Sequence, residues 1–139
     1  MKQYQSIIRI GTEGKTLHMI TGQVVRAVVD SGVETGLCTL FVRHTSASLL
    51  IQENADPDVL LDFENFFARL VPEGGNRYEH SAEGPDDMPA HIRSALTHTS
   101  EQIPISGGKL GLGTWQGIYL WEHRQRSHTR EIIVHISGE

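Results

Sequence analysis

The chain has 139 residues with 38% hydrophobic and 21% charged content, which fits one folded domain over residues 1–139 and excludes a disordered chain. A formal net charge of −5 excludes the broad basic surface that gripping a nucleic-acid backbone requires, but leaves room for a phosphate bound locally by amides and hydroxyls. One cysteine, Cys38, excludes an internal disulfide and lies in an apolar run where a buried thiol is expected. No apolar stretch has the form of a signal peptide or the length of a membrane span, so a soluble cytoplasmic protein is expected.

In chain order, Tyr4 to Ile10 reads as a strand, Gly11 to Gly14 as a turn and Leu17 to Ile20 as a short second strand. Thr21 is placed to cap a helix to about Val29, with Val24, Val25, Val28 and Val29 on its apolar side. Leu37 to Val42 is an apolar run of strand length, expected near the centre of a sheet, and Ala47 to Ile51 resumes strand character. Asp56-Pro57 opens a second helix whose Val59, Phe63, Phe66, Phe67 and Leu70 predict one buried face. Asp87 is placed to cap a third helix from Met88 to about Thr97. Ile103 to Ile105, Lys109 to Leu112, Thr114 to Glu122 and Arg130 to Ile136 are the remaining strands. The fold class is α+β: a compact single domain of seven or eight strands, mostly antiparallel or mixed, with about three helices, covered mainly on one face.

Three stretches carry chemistry. Tyr78 to His91 holds His80 and His91 with the acids Glu79, Glu83, Asp86 and Asp87, and its glycine and prolines break regular structure. The other two are His44 to Ser48 and Gly113 to Gly117, the latter leading into Glu122-His123. His44, His80 and His91 are the candidate metal ligands: three protein ligands plus an open position is a common catalytic arrangement, although this spacing matches no helical zinc motif. Asp86, Asp87 and Glu122 are placed to act as a general base, to orient a ligand histidine or to bind Mg²⁺, with helix capping as the ordinary alternative for Asp87. Alternation along 114–122 sets Thr114, Gln116 and Glu122 on one face, which reads either as a lined cavity or as an edge facing water.

Thr45, Ser46, Ser48 and Thr114 offer hydroxyls, and Gly111 and Gly113 admit close backbone approach, so a phosphate or carboxylate is a reasonable guest. No Walker-type or dinucleotide glycine pattern and no nucleophile elbow is present. Lys109 and Arg124 are available as local cations, with solvated surface as their default role.

Five motifs together resemble a known family: His-Thr-Ser-Ala-Ser at 44–48, Asn-Ala-Asp-Pro at 54–57, Asp-Asp-Met-Pro-Ala-His-Ile at 86–92, Gly-Thr-Trp-Gln-Gly-Ile at 113–118 and Glu-His-Arg at 122–124. The family is YjbQ, also labelled the secondary thiamine-phosphate synthase family, and the resemblance runs over nearly the whole chain. It implies a compact α+β domain, a homotrimer, and a divalent metal, Zn²⁺ first and Mg²⁺ second, held by His44, His80 and His91. It recasts Glu122, Thr114 and Gln116 as cavity residues, and together with the reading of the residues above this gives catalytic roles to Glu122 and Asp87 and a substrate or phosphate site at Thr45, Ser46, Ser48, Thr114 and Gln116. The activity implied is weak thiamine-phosphate synthesis, joining a pyrimidine diphosphate and a thiazole phosphate with release of pyrophosphate. Metal-dependent hydrolysis of a phosphoester and a non-catalytic metal- or metabolite-binding module are the alternatives. Members differ at the position of His123, which is left outside the core site with Asp86 and Glu83 unassigned.

Overall fold

The structure is a computed structural model that describes residues 1–139. Its strands are β1 (Lys2–Gly11), β2 (Thr16–Met19), β3 (Gly36–Val42), β4 (Ala47–Glu53), β5 (Ser100–Ser106), β6 (Lys109–Leu110), β7 (Gln116–Glu122) and β8 (Thr129–Gly138). Its helices are α1 (Thr21–Ser31), α2 (Pro57–Leu70) and α3 (Asp87–Leu96). No helix is long and apolar enough to cross a membrane.

The strands form two antiparallel sheets, a five-stranded one in the order β1-β8-β3-β5-β6 and a three-stranded one in the order β2-β7-β4. The apolar run of β3 lies at the centre of the larger sheet, as its composition predicts. Alternate residues of β3 and β8, namely Cys38, Leu40, Val42, Ile132, Val134 and Ile136, meet Ala47, Leu49, Ile118 and Leu120 of the smaller sheet in the core. Each buried aliphatic side chain there contributes roughly 2 kcal/mol. Burial pushes the Cys38 thiol up to about 11. The outer face of the larger sheet is open, leaving Ile7, Leu37 and Phe41 exposed.

Gly36 permits the close approach of β3 to β8: a Cβ there would sit 2.1 Å from the Ser137 carbonyl oxygen. Helix α1 contributes Val24, Ala27 and Val28 to the core and ends on Gly32 in the left-handed conformation. Thr21 does not cap it. Its hydroxyl instead accepts the Ile118 amide at 2.9 Å, tying the start of α1 to β7. Val25 and Val29, expected on the buried side, are exposed.

Helix α2 starts as expected, with the Asp56 carboxylate accepting the Asp58 amide at 2.9 Å and Pro57 in the first turn. Its buried face is not realised: none of its residues is fully buried, and Leu61, Phe66 and Leu70 are exposed. It meets the smaller sheet through Phe63 and Phe67, both edge-on to Trp121, and through Glu64. Asp87 begins α3 without acting as a side-chain cap, because its carboxylate is engaged elsewhere.

Candidate metal centre

The loop between α2 and α3 carries His80 to the first turn of α3, where Asp87 and His91 stand one helical turn apart. The ligand atoms of His80, Asp87 and His91 all lie within 4.8 Å of one another. His80 Nε2 is 2.5 Å and His91 Nε2 3.2 Å from the same oxygen, Asp87 Oδ2. His91 Nδ1 lies 3.0 Å from the Thr45 carbonyl oxygen. A carbonyl only accepts, so Nδ1 carries a proton and Nε2 faces the carboxylate oxygen. At that separation the two atoms are held together either by a proton on His91 Nε2 or by a cation taken up between them. The donor set fits a divalent metal: two imidazoles, one carboxylate, and an outer carbonyl that fixes the His91 tautomer.

The other oxygen of Asp87 is fixed by Arg124. This guanidinium donates to Asp87 Oδ1 at 2.7 Å, to Asp86 Oδ2 at 3.0 Å and to the Glu83 carbonyl at 3.0 Å. Burial pushes the Asp87 carboxyl up, but hydrogen bonding, with His80 first, and the Arg124 charge outweigh it and hold it below the usual carboxylate range. Asp86 is lowered in the same way: burial raises it, while the Gln125 amide and Arg124 more than compensate. Arg124 thus leaves its expected place on the solvated surface. Its signal in sequence is the adjacent pair Asp86-Asp87, which needs a counter-charge once buried.

The remaining candidates are dispersed. His44 does not join His80 and His91. Its Nε2 accepts the Glu131 amide at 2.8 Å and its Nδ1 lies 3.4 Å from Arg130, so the ring turns toward β8. Burial and the Arg130 charge lower its pKa. Glu122 is fully buried and receives Arg130 Nε at 2.7 Å, Arg130 Nη2 at 2.5 Å, the Thr12 hydroxyl at 2.6 Å and the Arg124 amide at 3.1 Å. Burial raises this carboxyl, but the bonds from Arg130, Thr12 and Arg124 bring it down on balance. Four donors fill its two oxygens and the group is fully buried, so the expected role as general base is corrected to that of a structural ion-pair partner.

Ser46 accepts Arg130 Nη2 at 2.9 Å, and Ser48 lies beneath α3, so neither hydroxyl faces the histidines. Thr45 touches the site through its carbonyl. Thr114 and Gln116 are also corrected. Gln116 stands at the opposite end of β7 from Glu122, with Thr114 in the turn before it, and six residues of strand span about 20 Å. The Gln116 side chain instead accepts the Gly113 amide at 2.8 Å and closes the turn before β7.

A second network, unseen from sequence, pins α3. His123 Nδ1 accepts Arg93 Nε at 3.1 Å, so its Nε2 carries the proton and donates to Ser48 Oγ at 2.8 Å. Thr97 extends the chain from Ser48 to the Arg93 carbonyl at 2.7 and 2.8 Å. Burial and the Arg93 charge push His123 down to about 2. Arg93 also donates to Glu64 Oε1 at 2.7 Å, and Glu64 Oε2 accepts the Trp121 indole at 2.8 Å.

The structure is an antiparallel two-sheet α+β domain that gathers a histidine–carboxylate cluster at the entrance to α3. The chain belongs to the UPF0047 family: the model for UPF0047 protein YjbQ-like matches residues 6–139. A UPF0047 protein of Synechocystis sp. is 69% identical over 138 residues, covering 99% of this chain and 94% of its own. The UPF0047 protein YjbQ of Escherichia coli O157:H7 is 44% identical, covering 98% of this chain and 99% of its own. A crystal structure of an uncharacterised YjbQ/UPF0047 protein from Clostridium acetobutylicum superposes with a TM-score of 0.87 at 39% identity, over 95% of this chain and 99% of its own. A YbjQ-like protein of unknown function from Sulfolobus solfataricus does so at 0.86 and 26% identity, over 99% of each chain.

Proposed function

We propose that His80, Asp87 and His91 hold a divalent cation, Zn²⁺ before Mg²⁺, in an enzyme acting on a small phosphorylated metabolite. The observation that carries this reading is the convergence of His80 Nε2 and His91 Nε2 on Asp87 Oδ2 at 2.5 and 3.2 Å, with the His91 ring oriented by its Nδ1–H bond to the Thr45 carbonyl. Two imidazole nitrogens favour Zn²⁺ over the all-oxygen preference of Mg²⁺. The side chains of His80 and His91 are 45% and 32% exposed, so a substrate has access to the open side of the cluster. A bound cation would supply charge neutralisation for a phosphate or a departing diphosphate.

Within this reading the transfer reaction is weak thiamine-phosphate synthesis with release of pyrophosphate, a step that needs no protein general base. That requirement suits a site in which Glu122 is sealed away. Phosphoester hydrolysis is the second reaction, and it would need a base other than Glu122. The assembly proposed is a homotrimer, supported by the open sheet face with Leu37 and Phe41 and by the uncovered apolar residues of α2.

Elemental analysis of untagged protein, followed by turnover assays on phosphorylated compounds, tests the proposal. One metal per chain, lost on substitution of His80, Asp87 or His91 by alanine and retained in His44→Ala, is the expected outcome. Full occupancy in the three variants would defeat the centre, and metal without turnover would assign a binding module. Light scattering giving a monomer mass would remove the trimer.

A further inference from the structure

We propose that Lys15 and Arg93 form an anion subsite beneath α2, closed in this structure by the carboxylate of Glu64, that receives the phosphate or diphosphate end of a small molecule. It shares a phosphorylated ligand with the function above but does not need the metal.

The floor of the subsite belongs to α3 and β7. Arg93 is 2% exposed and lies against the rings of Trp121 and Phe67, at 5.3 and 5.9 Å from their centroids. Its Nη2 and the Trp121 indole converge on the two oxygens of one carboxylate, Glu64, at 2.7 and 2.8 Å. A guanidinium and an indole N–H aimed at one point make an anion receptor, and Glu64 occupies it as an internal anion.

The element that delivers this carboxylate is loosely held. Helix α2 has no fully buried residue, and its Leu61, Phe66 and Leu70 are exposed. Its attachments to the sheet are the Glu64 bonds and the edge-on contacts of Phe63 and Phe67 with Trp121. Local opening of such an element costs less than opening a core strand.

Room and a second cation lie alongside. A cavity of about 260 Å³ is lined by Lys15, Thr16, Leu17, Leu60, Leu61 and Glu64. Lys15, in the turn between β1 and β2, pairs with Glu73. Burial and then the Arg93 charge disfavour its ammonium, while Asp86 and Glu64 favour it. The amine shares this cavity with Glu64, whose carboxylate bonds Arg93, and it reaches the loop between α2 and α3 at Glu73. A phosphate carries more charge and more acceptors than a carboxylate, so it competes for this receptor with Glu64 and draws on Lys15 as well. Arg124 is spent on Asp86 and Asp87, so Lys15 and Arg93 are the cations left for such a ligand at this end of the smaller sheet.

The test is calorimetric titration of inorganic pyrophosphate into chelator-treated, full-length protein at fixed ionic strength. Glu64→Gln removes the competing charge, and pyrophosphate should then bind about ten-fold more tightly than to the native chain. Lys15→Gln, at a partly exposed turn, should weaken binding about ten-fold in the native background. In Trp115→Phe protein the remaining indole, Trp121, should change its emission on titration. Unchanged affinity in Glu64→Gln overturns the proposal. If that variant does not fold, equal binding by native protein and Lys15→Gln overturns it instead. Because metal is absent throughout, failure here leaves the metal centre standing, and loss of metal in the histidine variants leaves this subsite standing.

Discussion

Arg124 Nη1 lies 2.7 Å from Asp87 Oδ1, and this bond decides which oxygen of Asp87 faces the histidines. With Oδ1 tied to a buried cation, only Oδ2 is free to turn toward His80 and His91. Arg124→Met would leave Asp86 and Asp87 buried without their counter-charge, and should destabilise the protein by about 3–5 kcal/mol. Arg124→Lys should recover only part of that loss, because one ammonium does not reproduce a fork bonded to both carboxylates and the Glu83 carbonyl. Urea denaturation, compared through midpoints at constant slope, measures both.

Glu122→Gln should behave as a stability variant. It strips the charge opposite Arg130, which is only 4% exposed, and should cost about 3 kcal/mol or more. Its metal content should match that of the native protein, since no bond joins Glu122 to His80, Asp87 or His91. A variant of native stability that had lost its metal would contradict this assignment.

Acid should unfold the protein in two stages. His123 has a folded pKa of about 2 against an ordinary value of 6.5, so between those values the unfolded chain binds more protons. Its contribution is complete above pH 6.5 and falls as the pH drops, by up to about 1.4 kcal/mol per pH unit. His44, also lowered, acts with the same sign. Asp86, Asp87 and Glu122 are lowered carboxyls, so they add a second loss only as unfolded carboxylates begin to protonate, below about pH 5. His123→Gln should flatten most of the first stage and keep the second. Midpoints measured from pH 8 to pH 4 separate the two.

Gly36→Ala places a methyl carbon 2.1 Å from the Ser137 carbonyl and 2.9 Å from Gly138 Cα, backbone atoms of the central strand pair that cannot rotate away. The expected result is a loss of roughly 3 kcal/mol or more, or failure to fold. Gly11→Ala, with nothing within 4 Å of its added carbon, is the matched control and should change stability by less than about 1 kcal/mol.

The strands were legible because β-branched runs such as Ile132 to Ile136 satisfy local preference and core burial together. Eight strands and three helices follow the expected order. Polar side chains were legible only where their partners are near in sequence. His80 and His91 fall within one loop and one helical turn, so their pairing was expected, but the third group beside them is Asp87 rather than His44. The His44 partner is the Glu131 amide, 87 residues away, and nothing near His44 indicates which way the imidazole turns. Thr21 and Asp87 both carry the local mark of a cap, and both are taken by distant groups, the Ile118 amide and Arg124. Alternation set Gln116 and Glu122 correctly on one side of β7 but carried no information that the strand's length holds them apart.

The thiol of Cys38 sits at 0% exposure between the sheets, with its pKa raised to about 11. A neutral, enclosed sulfur does not react with disulfide reagents until the strands around it separate. The single cysteine is therefore a clock for opening of the larger sheet. Its labelling rate in mild denaturant reads how often β3 and β8 part, and fraying of the loosely attached α2 leaves that rate untouched.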